Sequence, residues 1–257
     1  MATVAADAHR DLELAALAAV AEAVLADLRS AALAIRALVG PVGADLYGAN
    51  LVCADLARAD LAGADLARAI LVGADLARAD LTRAILVGAD LQGADLTRAG
   101  LILANLTGAI LSGANLSGAN MVRANLYDAN LYDADLRDAT LTRANLTGAD
   151  LHEAILTRAD LYGANLAGAD LHQAILTRAD LRGANLTGAD LTNADLRGAN
   201  LHDADLAQVL WSGRTLWPEV KASPPRDRSE ELRPGVWRVA GSGNADADTE
   251  GPLVSVP

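Results

Sequence analysis

The sequence predicts an all-β solenoid, a quadrilateral β-helix of about eight coils with an N-terminal α-helical segment. Three observations carry the prediction. The motif A-[DN]-L-x-x recurs 33 times without insertion, its centres running from Leu46 to Leu206 in steps of five. Every centre is Leu except Met121, and every residue two before a centre is Ala. The block GADLHEAILTRADLYGANLA (148–167) is followed at once by GADLHQAILTRADLRGANLT (168–187), with only three differences.

A period of five excludes the ordinary elements. On an α-helix each step would turn the Leu by about 140°, scattering the residues around the circumference. On a continuous strand an odd step would send successive Leu to opposite faces. The remaining solution makes Ala-x-Leu a short extended piece with both ends inward, after which two residues turn the chain. Four such turns close a square. The twenty-residue copy is then one complete coil, landing directly above its predecessor.

The column between Ala and Leu holds Asp 16 times and Asn 10 times, residues whose side chains bond nearby backbone in turns. Ile occupies it at positions 70, 85, 110, 155 and 175, and Gly100 and Thr140 occur once each. Gly is frequent two after the centre, where it relieves steric limits. Coils spaced by about 4.8 Å give a rod roughly 40 Å long. Stacked Leu side chains fill the interior, so no ligand pocket is expected inside.

Residues 44–208 resemble the pentapeptide-repeat proteins, whose motif is A-[DN]-L-x-x. The resemblance implies that the β-helix is right-handed, with the Ala and Leu columns inside and the other three positions outside.

Two end pieces flank the rod. Segment 1–43 contains an Ala- and Leu-rich stretch, 7–39, that reads as helix. Leu14, Leu17, Val24, Leu28, Ile35 and Leu38, with Ala21 and Ala31, follow alternating three- and four-residue spacing. Gly40-Pro41 suits its end. Two roles stand open: a cap over the first coil, or a seam that makes a homodimer or binds a partner. Segment 209–257 reads as a cap containing Trp211 and Trp217, then an exposed linker over 222–235. A short strand, VWRVA, and a disordered end follow.

Composition points to a soluble body in a reducing, cytoplasmic compartment. Cys53 is the only cysteine, so a disulfide framework is excluded. The start lacks a signal-peptide pattern, and its apolar runs are too short to span a membrane. A net charge of −12 and a single lysine argue against direct nucleic-acid binding.

No phosphate loop, dinucleotide fingerprint, nucleophile elbow or clustered Cys/His set is present, so no enzyme activity and no cofactor are expected. His152 and His172 should stack at about 4.8 Å as surface residues, without further ligands for a metal. Function is therefore expected on the outward columns. The candidate patch is ANLYDANLYDADLRDA, which groups Tyr127, Asp128, Tyr132, Asp133, Asp135 and Asp138, although on successive walls. Two segments of an Arg ladder flank it: Arg58, Arg78 and Arg98, then Arg158 and Arg178, each expected to be neutralised by neighbouring Asp.

These residues point to a non-enzymatic scaffold offering a rigid surface to a protein partner. The family resemblance implies an alternative, a DNA-mimicking protein that binds the topoisomerase DNA gyrase and relates to quinolone resistance. Charge counts against that alternative: residues 44–208 carry a net −9, whereas ~40 Å of duplex carries about 24 negative charges. The balance is uneven, −2 over 44–123 and −7 over 124–208.

Overall fold

A computed structural model describes residues 43–218 and 229–240. The helix expected over 7–39, with its Leu14, Leu17, Val24, Leu28, Ile35 and Leu38 seam, lies outside the described residues, as does the end after Ala240.

Each residue between an Ala and a Leu makes a parallel bridge to the residue twenty positions on, from Asp45↔Asp65 through Asp190↔Leu210. The coil is therefore twenty residues and four walls. We number the walls by their first centres: Leu46, Leu51, Leu56 and Leu61.

One repeat shows why the motif has this composition. Ala94 donates its N–H to the Leu91 carbonyl across the turn (3.0 Å). Asp95 donates to Ala74 in the preceding coil (2.9 Å), and Leu96 to Asn115 in the next (2.7 Å). Arg98 donates to Ser117 (2.9 Å). The fifth N–H, that of Thr97, faces outward and is accepted by the Asp95 carboxylate at 2.9 Å. Asp or Asn thus completes the hydrogen-bond account of its repeat, which Ile70 or Gly100 cannot do.

The second turn residue adopts positive φ in all 33 repeats, as a type II turn requires. Nineteen of these residues are not glycine, with φ from +52° at Asp128 to +62° at Asn193. Such a conformation carries a steric penalty for each Cβ. It persists because the corner N–H is fixed to the next coil, as Arg98 is to Ser117.

Inside, Leu66 to Leu196 and the central Met121 are fully buried. The Ala and Leu columns form one continuous core that extends to Val209, Trp211 and Val239. No helix of the described residues is long and apolar enough to cross a membrane.

The far end of the rod is closed by a three-stranded antiparallel sheet in the order β1-β3-β2. The strands are β1 (Leu210–Ser212), β2 (Ser229–Arg233) and β3 (Val236–Val239). Trp211 pairs with Trp237 across the sheet, and their rings stack at 4.7 Å. Trp217 meets Trp211 edge-on at 6.2 Å. Val239 ties the sheet to the last coil, accepting from Gln208 (3.1 Å) and donating to Val209 (3.0 Å). The expected linker over 222–235 needs correcting: Ser229–Arg233 pair with β3. The polar sequence SEELR hid this edge strand, whose Glu230 forms an ion pair with Arg238.

Candidate functional site

The sequence-predicted patch is divided by the fold. Tyr127 and Asp128 lie on the first wall and its corner, Tyr132 and Asp133 on the second, and Asp135 and Asp138 on the third. Two of its acids are already engaged. Asp135 binds Arg137 (2.5 Å), and Asp138 binds Arg158 with two hydrogen bonds, at 2.6 and 2.5 Å. These guanidinium hydrogen bonds hold both carboxyls below the usual carboxylate range. Of the Arg ladder, Arg158 alone forms an ion pair among the described residues; the Asp residues beside the others were expected to neutralise them. Asp55 instead accepts from the Ala57 N–H at 3.2 Å, and Asp180, beside Arg178, pairs with Arg182.

The four walls differ chemically. On the first, Asn105, Asn125, Asn145, Asn165 and Asn185 stack in one column. Asn145 donates to Asn125 (2.9 Å), Asn185 to Asn165 (3.0 Å) and Asn165 to Thr147 (2.8 Å). This neutral ladder leaves five coils of the column without charge.

The second wall carries Asp90, Asp133, Asp150, Glu153, Asp170 and Asp190, and no arginine. Along it Tyr132, His152 and His172 stack, with ring centroids 5.6 and 4.9 Å apart. Tyr132 donates to Glu153 (3.2 Å), Gln173 donates to Glu153 (3.3 Å), and His172 contacts Thr192 at 2.6 Å. The expected histidine stack is present. Among the described residues no three His, Cys, Asp or Glu side chains are placed to hold a metal ion.

The third wall mixes six acids with seven arginines. The fourth contains a surface that reading along the chain missed. Ile102, Val122, Thr142 and Tyr162 succeed one another at intervals of twenty, and with Leu103, Arg123 and Arg143 they line a shallow depression of about 360 Å³. Leu103 and Tyr162 are each 43% exposed. The signal was available: Gly100, Thr140 and Met121, each occurring once in its column, all fall on this wall.

The pentapeptide-repeats family model matches the chain in eight copies, over residues 42–76, 59–98, 99–138, 134–173 and 174–210. Curated protein sequences yield no match. Solved structures do. HetL of the cyanobacterium Nostoc sp. strain PCC 7120, a pentapeptide repeat protein involved in heterocyst differentiation regulation, is 40% identical. That match covers 65% of this chain and 85% of HetL, with a TM-score of 0.30. QnrB1, a plasmid-mediated fluoroquinolone resistance protein, is 20% identical over 73% of this chain and 92% of its own, with a TM-score of 0.36. The repeat match spans about two thirds of the sequence and decides the assignment. The chain belongs to the pentapeptide repeat family, whose members are right-handed quadrilateral β-helices.

Proposed function

We infer that the chain is a non-enzymatic scaffold whose rigid walls bind a protein partner. One observation carries this reading: the core from Leu66 to Leu196 is filled, while the outward residues sort by wall into surfaces of different chemistry. A filled interior provides no desolvated site in which to perturb a catalytic group. A wall fixed by inter-coil hydrogen bonds offers a preorganised surface, which lowers the ordering cost of association. The test is capture of partners from the native host by the parent protein and by variants altered on one wall at a time. Loss of a partner by one wall's variant alone supports the scaffold reading; no capture by the parent contradicts it.

The second reading is the gyrase-binding DNA mimic, favoured by one observation: the second wall holds six acids and no arginine. Against it stand the arginines of the third wall and the neutral Asn ladder of the first. Supercoiling assays decide, run at physiological salt, where the screening length is about 8 Å. The scaffold reading predicts no effect with or without a quinolone. Inhibition abolished by Asp133→Asn with Glu153→Gln would establish the alternative.

A further inference from the structure

On the fourth wall the column between Ala and Leu has no carboxylate for three successive coils, between Asp80 and Asp160. It reads Asp60, Asp80, Gly100, Asn120, Thr140, Asp160, Asp180. Within that window Ile102, Leu103 and Val122 replace the small or polar residues of neighbouring coils, and Tyr162 closes one end. Arg98 flanks the window at one corner, and Arg123 and Arg143 at the other. None of the three forms an ion pair with a described residue, whereas Arg137, Arg158, Arg182 and Arg197 all do.

The fold does not demand these departures. Gly100 is outside the positive-φ region, and a Cβ there would first meet the Asp80 carboxylate at 3.6 Å, an ordinary contact. An Asp at 100 would supply the acceptor that the Ile102 N–H lacks, as Asp95 does for Thr97. The surface is also fixed in place. Arg83 donates its backbone N–H to Ile102 (2.9 Å), Leu103 to Val122 (3.0 Å), Arg123 to Thr142 (3.0 Å) and Arg143 to Tyr162 (2.9 Å).

We propose that this patch docks a short acidic segment of a partner protein, in which carboxylates flank one or two apolar side chains. The proposal rests on the scaffold reading and names the partner's chemistry. Free guanidinium groups match carboxylates with two hydrogen bonds each. Exposed Tyr and Arg around an apolar centre are the residue types that dominate binding energy at interfaces. The second wall, with six acids and no arginine, repels such a segment. Three arginines are too few to hold a nucleic-acid backbone against the net −9 of residues 44–208, and too few to anchor the rod on an anionic membrane.

The experiment pans a random dodecapeptide display library on the full chain and measures the selected peptides by fluorescence anisotropy. The proposal predicts enrichment of peptides with a net negative charge around Leu, Ile or Phe. Their affinity falls about tenfold or more in Arg123→Glu/Arg143→Glu and also in Gly100→Asp/Thr140→Asp, and it weakens with salt. The second pair restores the repeat consensus, so its melting temperature stays at or above the parent's and misfolding cannot explain a loss. Failure to select acidic peptides, or affinity unchanged in both pairs, overturns the proposal. So does preferential binding of phosphatidylserine vesicles, of a single-stranded oligonucleotide or of a second copy of the chain. A host partner captured by the parent and retained by both pairs refutes the patch but leaves the scaffold reading standing.

Discussion

Tyr132 donates its hydroxyl to Glu153, one coil further on, at 3.2 Å, and its ring lies 5.6 Å from that of His152. The negative charge of Glu153 first, and the hydrogen bond second, oppose ionisation and push the phenol above its ordinary range. A phenol whose folded pKa is raised adds stability that is present below its unfolded pKa and is lost as pH rises through the folded one. Glu153→Gln should bring the Tyr132 titration down toward the ordinary phenol range, read by ultraviolet difference spectroscopy. No movement would mean that Glu153 does not reach across the coil in solution.

The Asp138–Arg158 pair has the opposite sign. Its folded carboxyl is depressed, chiefly by the Arg158 hydrogen bond, so its contribution exists above the unfolded carboxylate pKa and is lost as pH falls. Both groups are solvent-exposed and screened, so the effect is small. Arg158→Ala should return the Asp138 carboxyl to its usual range in a carbon-detected NMR titration. Any loss of melting temperature at neutral pH should disappear in acid.

Core substitutions should cost more at the middle of the rod than at its start. Leu136 is fully buried between hydrogen-bonded coils that cannot close around a void. Leu136→Ala should destabilise by ~2–5 kcal/mol, with Leu51→Ala at the low end of that range, in equilibrium urea denaturation. Leu51 already retains 4% exposure.

The coil can be removed whole. Deleting Gly168–Thr187 takes out four repeats and leaves every downstream residue on its wall. Deleting only three of them, Gly168–Arg182, keeps Ala and Leu inward but rotates the rest by a quarter turn. That sets each downstream outward column above a column of different chemistry and turns the β1-β3-β2 sheet relative to the walls. The larger deletion should therefore melt nearer the parent than the smaller one.

The rod was legible because Ala and Leu repeat at a period that no helix or single strand can bury. The turn chemistry was legible in part. Asp and Asn announced the side-chain caps, but Arg58 or Leu103 at positive φ gave no local sign; the next coil imposes that backbone. Strand β2 was hidden because Ser229–Arg233 is polar and bordered by Pro234, and only pairing with β3 makes it extended. The candidate patch at Tyr127–Asp138 was read along the chain, yet surfaces on this fold run across it. Ile102, Val122, Thr142 and Tyr162 are neighbours only once residues are counted by twenties.

That counting is the central claim, and one native thiol tests it. Cys53 is free and exposed, and a Cβ built on Gly73 would lie 3.4 Å from its sulfur. Backbones one coil apart sit at the roughly 4.8 Å strand spacing, within the Cα separation that a disulfide accepts. Mild oxidation of the Gly73→Cys protein should remove both thiols from the monomer, seen as a mass loss of two hydrogens. The Gly63→Cys protein, whose new thiol sits half a coil away on the opposite corner, should keep both. Intramolecular cross-linking of Gly63→Cys, or two persistent thiols in Gly73→Cys, would contradict the twenty-residue coil and every wall assignment built on it.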